Sequence, residues 1–320
     1  MGYTFFSIGN QHRLQHLLEL NDDGHETRGT NVLKKMRRLS PIQGLTLFFL
    51  IGLIFLTLLF RGRIPLWHSL IFRYLLWIGL LFVIKLSSDR KRTGRFRDFV
   101  HTFSPILFII LIFESLGDLI HYLHPDIDPA LMRIDLFLFG VEPTLWMQRW
   151  IVPWLTDLLS LAYLSYYFLP LTLVVFLYLK KHPGLYPALF ILILGYYVSF
   201  IGYILFPAVG PRFAMTSLYT VPLEGSFITH WVKDGLNAIE HNKRDCMPSG
   251  HTQIALTVLY LAYRFEKIIF YVFLPFVCGL VLSTVYLRYH YVIDLFAGTA
   301  IAIACIIIGP RLYRWWCGEN

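Results

Sequence analysis

Residues 44–60 read GLTLFFLIGLIFLTLLF and contain no charged side chain. This run predicts a helix that crosses a membrane, since a bilayer core needs about 20 mainly apolar residues. Further apolar runs lie at about residues 66–86, 103–123, 151–179, 188–206, 251–264, 268–286 and 293–308. Their apolar positions are continuous rather than alternating, which favours helices over a β-barrel. The sequence therefore predicts an all-α, multi-pass transmembrane bundle of about eight spans.

Composition supports a membrane protein. Of the 320 residues, 56% are hydrophobic and only 15% are charged, whereas soluble domains carry about 25% charged residues. These values exclude collagen, a disordered chain, a small disulfide scaffold and a cytosolic enzyme. The net charge of +8 lies in short clusters between apolar runs, so we expect the lipid bilayer as a partner and no nucleic acid. The polar residues before the first span suggest no cleaved signal peptide.

Basic residues predict the orientation of the chain. With a cytoplasmic N-terminus, roughly twice as many Lys and Arg residues face the cytoplasm as face the other side. The loops at 207–250 and 286–294 are then extracytoplasmic, either outside a plasma (inner) membrane or in the lumen of the Golgi or ER. We expect a cytoplasmic segment at 1–41, two additional helices at 42–98 and a six-helix membrane domain at 99–316.

Two polar segments on this extracytoplasmic side, at 243–251 and 283–294, hold the densest candidates for chemistry. Pro248 suits a first helical turn. The free N–H groups near Ser249 and Gly250 would then point out of a helix N-terminus, which favours phosphate binding. His251 lies at the rim of this site as a proton donor.

The second segment places His290 and Asp294 four residues apart, on one helical face if the helix is continuous. A carboxylate bonded to one ring nitrogen would leave the other nitrogen as a nucleophile. A histidine nucleophile, a second histidine as acid and an anion site together favour phosphoryl transfer. Two histidines and one aspartate are also zinc ligands, but no HExxH motif supports that interpretation.

The sequence Pro248-Ser249-Gly250-His251, followed by Ser283, His290 and Asp294, resembles the type 2 phosphatidic acid phosphatase superfamily. The family patterns are PSGH and S-R-x5-H-x3-D, and Thr284 occupies the arginine position. The first family motif, K-x6-R-P, is replaced by FPAVGPR at 206–212. This variant resembles the inositol phosphorylceramide synthase branch. Further residues resemble the same branch: Tyr286, His290-Tyr291, Ile134-Asp135, Leu138-Phe139-Gly140 and Pro143. The resemblance covers roughly residues 128–311.

The resemblance implies specific roles within a phosphatase-like core at 99–316. His290 would attack phosphorus and form a phosphohistidine, Asp294 would orient it, and His251 would protonate the leaving oxygen. The remaining candidates would bind phosphate oxygens: Arg212, Ser249, Gly250, Arg288, Lys243 and Arg244. Among the possible replacements for the missing family arginine, Arg288 ranks first because it lies in the same segment. The family requires no metal and no cofactor.

Three functions follow from these residues, and they remain open at this point. With water as acceptor, the protein would be a phosphatase acting on a lipid phosphate or diphosphate, from a phospholipid or an isoprenyl phosphate. With a lipid or polyol hydroxyl as acceptor, it would be a phosphotransferase of the sphingolipid-synthase kind. The third possibility is a non-catalytic lipid transporter or scaffold. The intact PSGH motif slightly favours the phosphatase. We expect no role for Cys246.

Overall fold

The computed structural model describes residues 39–89, 94–239 and 241–318. Most of the predicted segment 1–41 lies outside these residues. The described part of the chain is all-helical, which confirms the predicted fold class. Its twelve α-helices are α1 (Pro41–Leu59), α2 (Trp67–Asp89), α3 (Arg95–Gly117), α4 (Asp128–Phe139), α5 (Pro143–Trp146), α6 (Pro153–Leu179), α7 (Leu185–Leu205), α8 (Pro211–Ala214), α9 (Ile228–Ile239), α10 (Gly250–Phe265), α11 (Lys267–Tyr286) and α12 (Val292–Cys317).

Seven of the described helices are long and apolar enough to cross a bilayer: α1, α2, α3, α6, α7, α11 and α12. The sixth predicted span corresponds to α10, which has only 16 residues and is therefore about 24 Å long. Helix α10 packs against α6, α7, α11 and α12. Helix α10 is therefore surrounded mainly by protein rather than by lipid. The protein is an integral, multi-pass membrane protein.

Helix α4 lies in the predicted short segment between α3 and α6, and its 12 residues are too few to span a membrane. One face is buried and carries Asp128, Leu131 and Asp135. Phe137 on another face is 87% exposed. The helix ends at Gly140, whose φ of 72° is left-handed, a conformation that glycine adopts without a steric penalty. Helix α4 therefore presents polar groups to the interior of the bundle and apolar groups outward.

Helices α1 and α2 pack on each other, and both contact α3. Helix α1 also contacts α7 and α12, and Ser40–Asn320 form one compact unit. Arg73 of α2 pairs with Asp118 beyond the end of α3, with Nη2 2.6 Å from Oδ2. His241 Nε2 lies 3.1 Å from the other oxygen of this carboxylate. Asp118 thus belongs to a polar cluster between helices. The predicted domain boundary near residue 99 remains a prediction.

Candidate active site

Two histidines that are far apart in sequence meet at one end of the bundle. His251 lies in the first turn of α10, and His290 lies in the turn between α11 and α12. His251 Nδ1 is 3.2 Å from His290 Nε2, and both residues are buried. The Tyr163 ring stacks on His251 with a centroid distance of 4.6 Å. The structure therefore brings together the two imidazoles as the sequence predicts.

The hydrogen bonds of His290 define which ring nitrogen can act as a base or nucleophile. Nδ1 lies 2.8 Å from the carbonyl oxygen of Cys246. A carbonyl only accepts hydrogen bonds, so Nδ1 carries the proton and Nε2 has the lone pair in the neutral ring. His251 Nδ1 is then the donor toward His290 Nε2. The predicted contact with Asp294 is longer, with Oδ2 3.5 Å from Nδ1.

Asp294 is fully buried in the first turn of α12. Its Oδ2 accepts hydrogen bonds from Tyr291 N and Cys246 Sγ, both at 2.8 Å. Its main-chain oxygen accepts a bond from Ser249 N at 3.0 Å. Asp294 therefore joins the start of α12 to the start of α10. Its carboxylate orients the His290 segment mainly through the backbone and Cys246.

Cys246 is a site residue that sequence reasoning missed. Its carbonyl binds His290, and its thiol donates to Asp294. Burial and the adjacent Asp294 raise the pKa of the Cys246 thiol well above its ordinary value. The sulfur therefore remains a protonated donor rather than a thiolate nucleophile. The only signal in the sequence is its position two residues before Pro248.

A slot of about 30 Å³ opens beside the two imidazoles. Its walls include the predicted phosphate-binding residues Arg212 and Lys243, together with Asp245. The Arg212 guanidinium lies 5.0 Å from the centre of the Tyr289 ring. Burial raises the pKa of the Asp245 carboxyl and the nearby His290 lowers it. The slot therefore holds one acid beside two cations and the two histidines.

Ser249 and Gly250 begin α10, but neither lines the slot. Ser249 is the N-cap, and its Oγ accepts a hydrogen bond from Thr252 N at 3.2 Å. A Cβ at Gly250 would collide with the Tyr203 hydroxyl. The structure thus gives both residues a clear role in capping and packing. Their predicted phosphate contacts stay a prediction.

The other predicted arginines lie away from the slot. Arg244 forms a two-pronged ion pair with Asp126, with Nε 2.6 Å from Oδ1 and Nη2 3.0 Å from Oδ2. Arg288 lines a neighbouring cavity instead. At the position of the family arginine, the Thr284 hydroxyl donates to the Val281 carbonyl at 2.7 Å. Of the predicted cations, only Arg212 and Lys243 face the histidines.

Two acids of α4 hold the site loops. Asp128 accepts hydrogen bonds from Val209 N at 3.0 Å and Gly210 N at 2.8 Å.

Asp135 accepts bonds from Val292 N at 2.6 Å and Ile293 N at 2.9 Å. The second pair satisfies free N–H groups at the start of α12. Burial raises the pKa of Asp135 to about 6. Helix α4 therefore positions the segments that carry Arg212 and His290.

Comparison with known proteins gives two matches. A family model described as the PAP2 superfamily matches residues 129–308, which is more than half of the chain. A PA-phosphatase related-family protein of Dictyostelium discoideum is 27% identical over 117 residues. The match covers 36% of this chain and 21% of that protein, so the chain aligns with only about a fifth of this relative. No solved structure matches the chain.

Proposed function

The chain belongs to the PAP2 superfamily, and from this premise we propose that it is a membrane lipid phosphatase that hydrolyses a lipid phosphate or diphosphate. The proposal rests mainly on the 3.2 Å contact between His251 Nδ1 and His290 Nε2, which lie beside a slot lined by Arg212 and Lys243. A nucleophile, an acid and an anion site at one place are the elements that phosphoryl transfer requires.

In the first step, the Nε2 lone pair of His290 attacks phosphorus. The bond between phosphorus and the lipid oxygen breaks, and the His251 proton moves to that oxygen. In the second step, water attacks the phosphohistidine while His251 accepts its proton, and inorganic phosphate leaves. A phosphoryl group bound between the rings replaces the direct imidazole contact. Asp294 and the Cys246 carbonyl hold His290 in the reactive tautomer throughout.

Arg212 and Lys243 supply the charge that stabilises the transferred group. Both line the slot beside the histidines, and phosphoryl transfer depends mainly on positioning and on compensation of negative charge. The guanidinium of Arg212 can bind two phosphate oxygens at once, whereas the ammonium of Lys243 acts as a point charge. These two side chains bind the non-bridging oxygens of the phosphoryl group in our proposal.

The site faces the extracytoplasmic side in this proposal. The bias of Lys and Arg supports a cytoplasmic N-terminus. With α10 counted as an eighth crossing beside the seven long helices, successive spans then put the ends of α3, α7 and α11 on the opposite side, together with the starts of α10 and α12. His251 and His290 lie at those ends. The lipid phosphate is therefore drawn from the extracytoplasmic leaflet.

A lipid phosphotransferase is the second candidate, because the segment at 206–212 departs from the first phosphatase motif. The purified full-length chain should be given a labelled phospholipid monophosphate with and without a lipid or polyol alcohol. Release of labelled inorganic phosphate supports the phosphatase, and a new labelled lipid supports the transferase.

His290→Ala should abolish either reaction. The matched control is His182→Ala, since His182 lies between α6 and α7 and accepts a bond from Gly184 N. If wild type and His290→Ala are equally inactive on every lipid phosphate, a transporter or scaffold replaces both enzymatic proposals.

A further inference from the structure

A second cavity of about 680 Å³ adjoins the slot at the two histidines. The two spaces share Arg212, Phe213 and Tyr289 as walls. The second cavity is lined mainly by the segment at 216–233 and by the turn at 287–289. Its charged side chains are Arg212, Arg288, Lys233 and Glu224. Cations therefore outnumber acids around a space that shares walls with the proposed phosphoryl site.

Arg288 is the most buried of these charges, with 7% of its surface exposed. Its Nη2 donates to the Val221 carbonyl at 2.7 Å, and its guanidinium lies 3.7 Å from the centre of the Tyr219 ring. Its Nε is buried and has no hydrogen-bond partner among the described residues. No carboxylate of the described chain pairs with Arg288. A buried cation of this kind is costly unless an anion compensates it.

The backbone of Arg288 is held in an uncommon conformation. Its φ is 65°, in the left-handed region that residues other than glycine rarely adopt. In this conformation its carbonyl accepts a hydrogen bond from Arg212 N at 2.7 Å. The same turn therefore places one arginine beside the histidines and the other in the second cavity. Such strain persists only where the surrounding structure maintains it, often at a ligand site.

We propose that the second cavity is an anion subsite, in which Arg288 binds a second phosphate attached to the phosphoryl group that His290 attacks. The preferred substrate is then a lipid diphosphate. This inference rests on the proposed function of the same site. His290 attacks the terminal phosphorus, and the bond to the bridging oxygen breaks. His251 protonates that oxygen, and the product is a lipid monophosphate.

The buried charge of Arg288 favours a second phosphate over a neutral acceptor alcohol in the second cavity. An uncharged polyol would fill the cavity but would leave the buried guanidinium of Arg288 without a counter-charge. A second phosphate offers several oxygens to the guanidinium groups of Arg288 and Arg212, which both line this cavity, and charge-assisted bonds of this type are among the stronger ones. Burial lowers the pKa of Arg288, but the group remains cationic at neutral pH.

The first test compares a lipid monophosphate with the diphosphate of the same lipid, using the full chain in detergent. Wild type should have a kcat/KM for the diphosphate at least about tenfold higher, from the added charge-assisted bonds. Arg288→Gln should remove this preference, and Arg288→Lys should retain part of it. Turnover of the monophosphate without such a preference overturns the subsite alone. Turnover of neither lipid overturns the proposed function.

Arg149→Gln is the matched control. Arg149 also lies over an aromatic ring, 4.8 Å from the centre of Trp146, and also donates to a carbonyl. It is exposed and lines neither of the two spaces. The control should keep the wild-type preference for the diphosphate. An equal loss of preference in the two variants would show a general effect of charge and would contradict the subsite.

The second test does not depend on turnover. Inorganic diphosphate should raise the melting temperature of the wild-type chain by at least about 2 °C more than the same concentration of inorganic phosphate, through preferential binding to the folded state. Arg288→Gln should show no difference between the two anions, and Arg149→Gln should behave like wild type. If Arg288→Gln does not fold, the wild-type comparison decides: equal stabilisation by both anions overturns the proposal.

Discussion

Helices α2 and α10 show two ways of building a helix within one membrane protein. Helix α2 exposes large apolar side chains such as Phe72, Leu76 and Leu86, each more than half exposed. Helix α10 is shorter and buries polar groups, among them Thr252, Gln253 and Thr257. The sequence of α2 needs mainly length and apolar character, which lipid requires. The sequence of α10, which carries His251, must also match the shape and the hydrogen bonds of the neighbouring helices.

The space around the glycines also differs between α10 and the outer helices. A Cβ at Gly298 of α12 would collide with the Ser249 carbonyl at the start of α10, and one at Gly202 of α7 would collide with Pro248. In contrast, a Cβ at Gly52 of α1 or Gly79 of α2 would meet nothing within 4 Å. The backbones around α10 therefore approach closely because the facing positions lack side chains. We expect the function to be sensitive to changes at α10 and tolerant of changes at α2.

The largest expected effect comes from removing the acid at the start of α10. His251→Gln should lower kcat on a lipid phosphate by about 10²–10⁴, the range for loss of a general acid. The loss should be much smaller with p-nitrophenyl phosphate, because that leaving group needs little protonation. Steady-state kinetics with both substrates measure the difference. An equal loss on both substrates would contradict the role of His251 as an acid.

A substitution of one glycine by alanine tests the packing contrast directly. Gly298→Ala should destabilise the protein by about 1–3 kcal/mol, as overpacking of a tight interface does. Gly79→Ala should leave stability unchanged or slightly raise it, because alanine is the better helix former. Thermal unfolding of both variants in the same detergent gives the comparison. Similar melting temperatures for the two variants would show that α10 is no more closely packed than α2.

The smallest expected effect concerns Cys246 as a positioning residue. Cys246→Ala removes the thiol donor to Asp294 and should lower kcat by about tenfold with little change in KM, as expected for loss of one hydrogen bond worth about 1.4 kcal/mol. Cys246→Ser keeps a donor and should recover most of this activity. Cys278→Ala, at an exposed cysteine of α11, is the control. A serine variant as impaired as the alanine variant would indicate packing rather than hydrogen bonding.

The sequence predicted the apolar spans because length and composition are local properties. It also predicted that His251 and His290 would meet, because their motifs lie at ends of spans on the same side. It did not predict the roles of Cys246 or Asp128, since their contacts depend on distant segments. Arg288 lines the cavity next to the predicted phosphate site, and its backbone there is left-handed. Such a backbone angle leaves no pattern of hydrophobicity in the sequence.

The phosphohistidine mechanism is tested most directly by trapping the phosphoryl group on the protein. Wild-type chain should be mixed with a lipid phosphate labelled in the phosphoryl group, quenched in alkali within the first turnover, and examined by mass spectrometry of its peptides. We expect an acid-labile label on His290, which is absent from His290→Ala. Turnover by the wild type with no label on His290, or with the label on another residue, would contradict it.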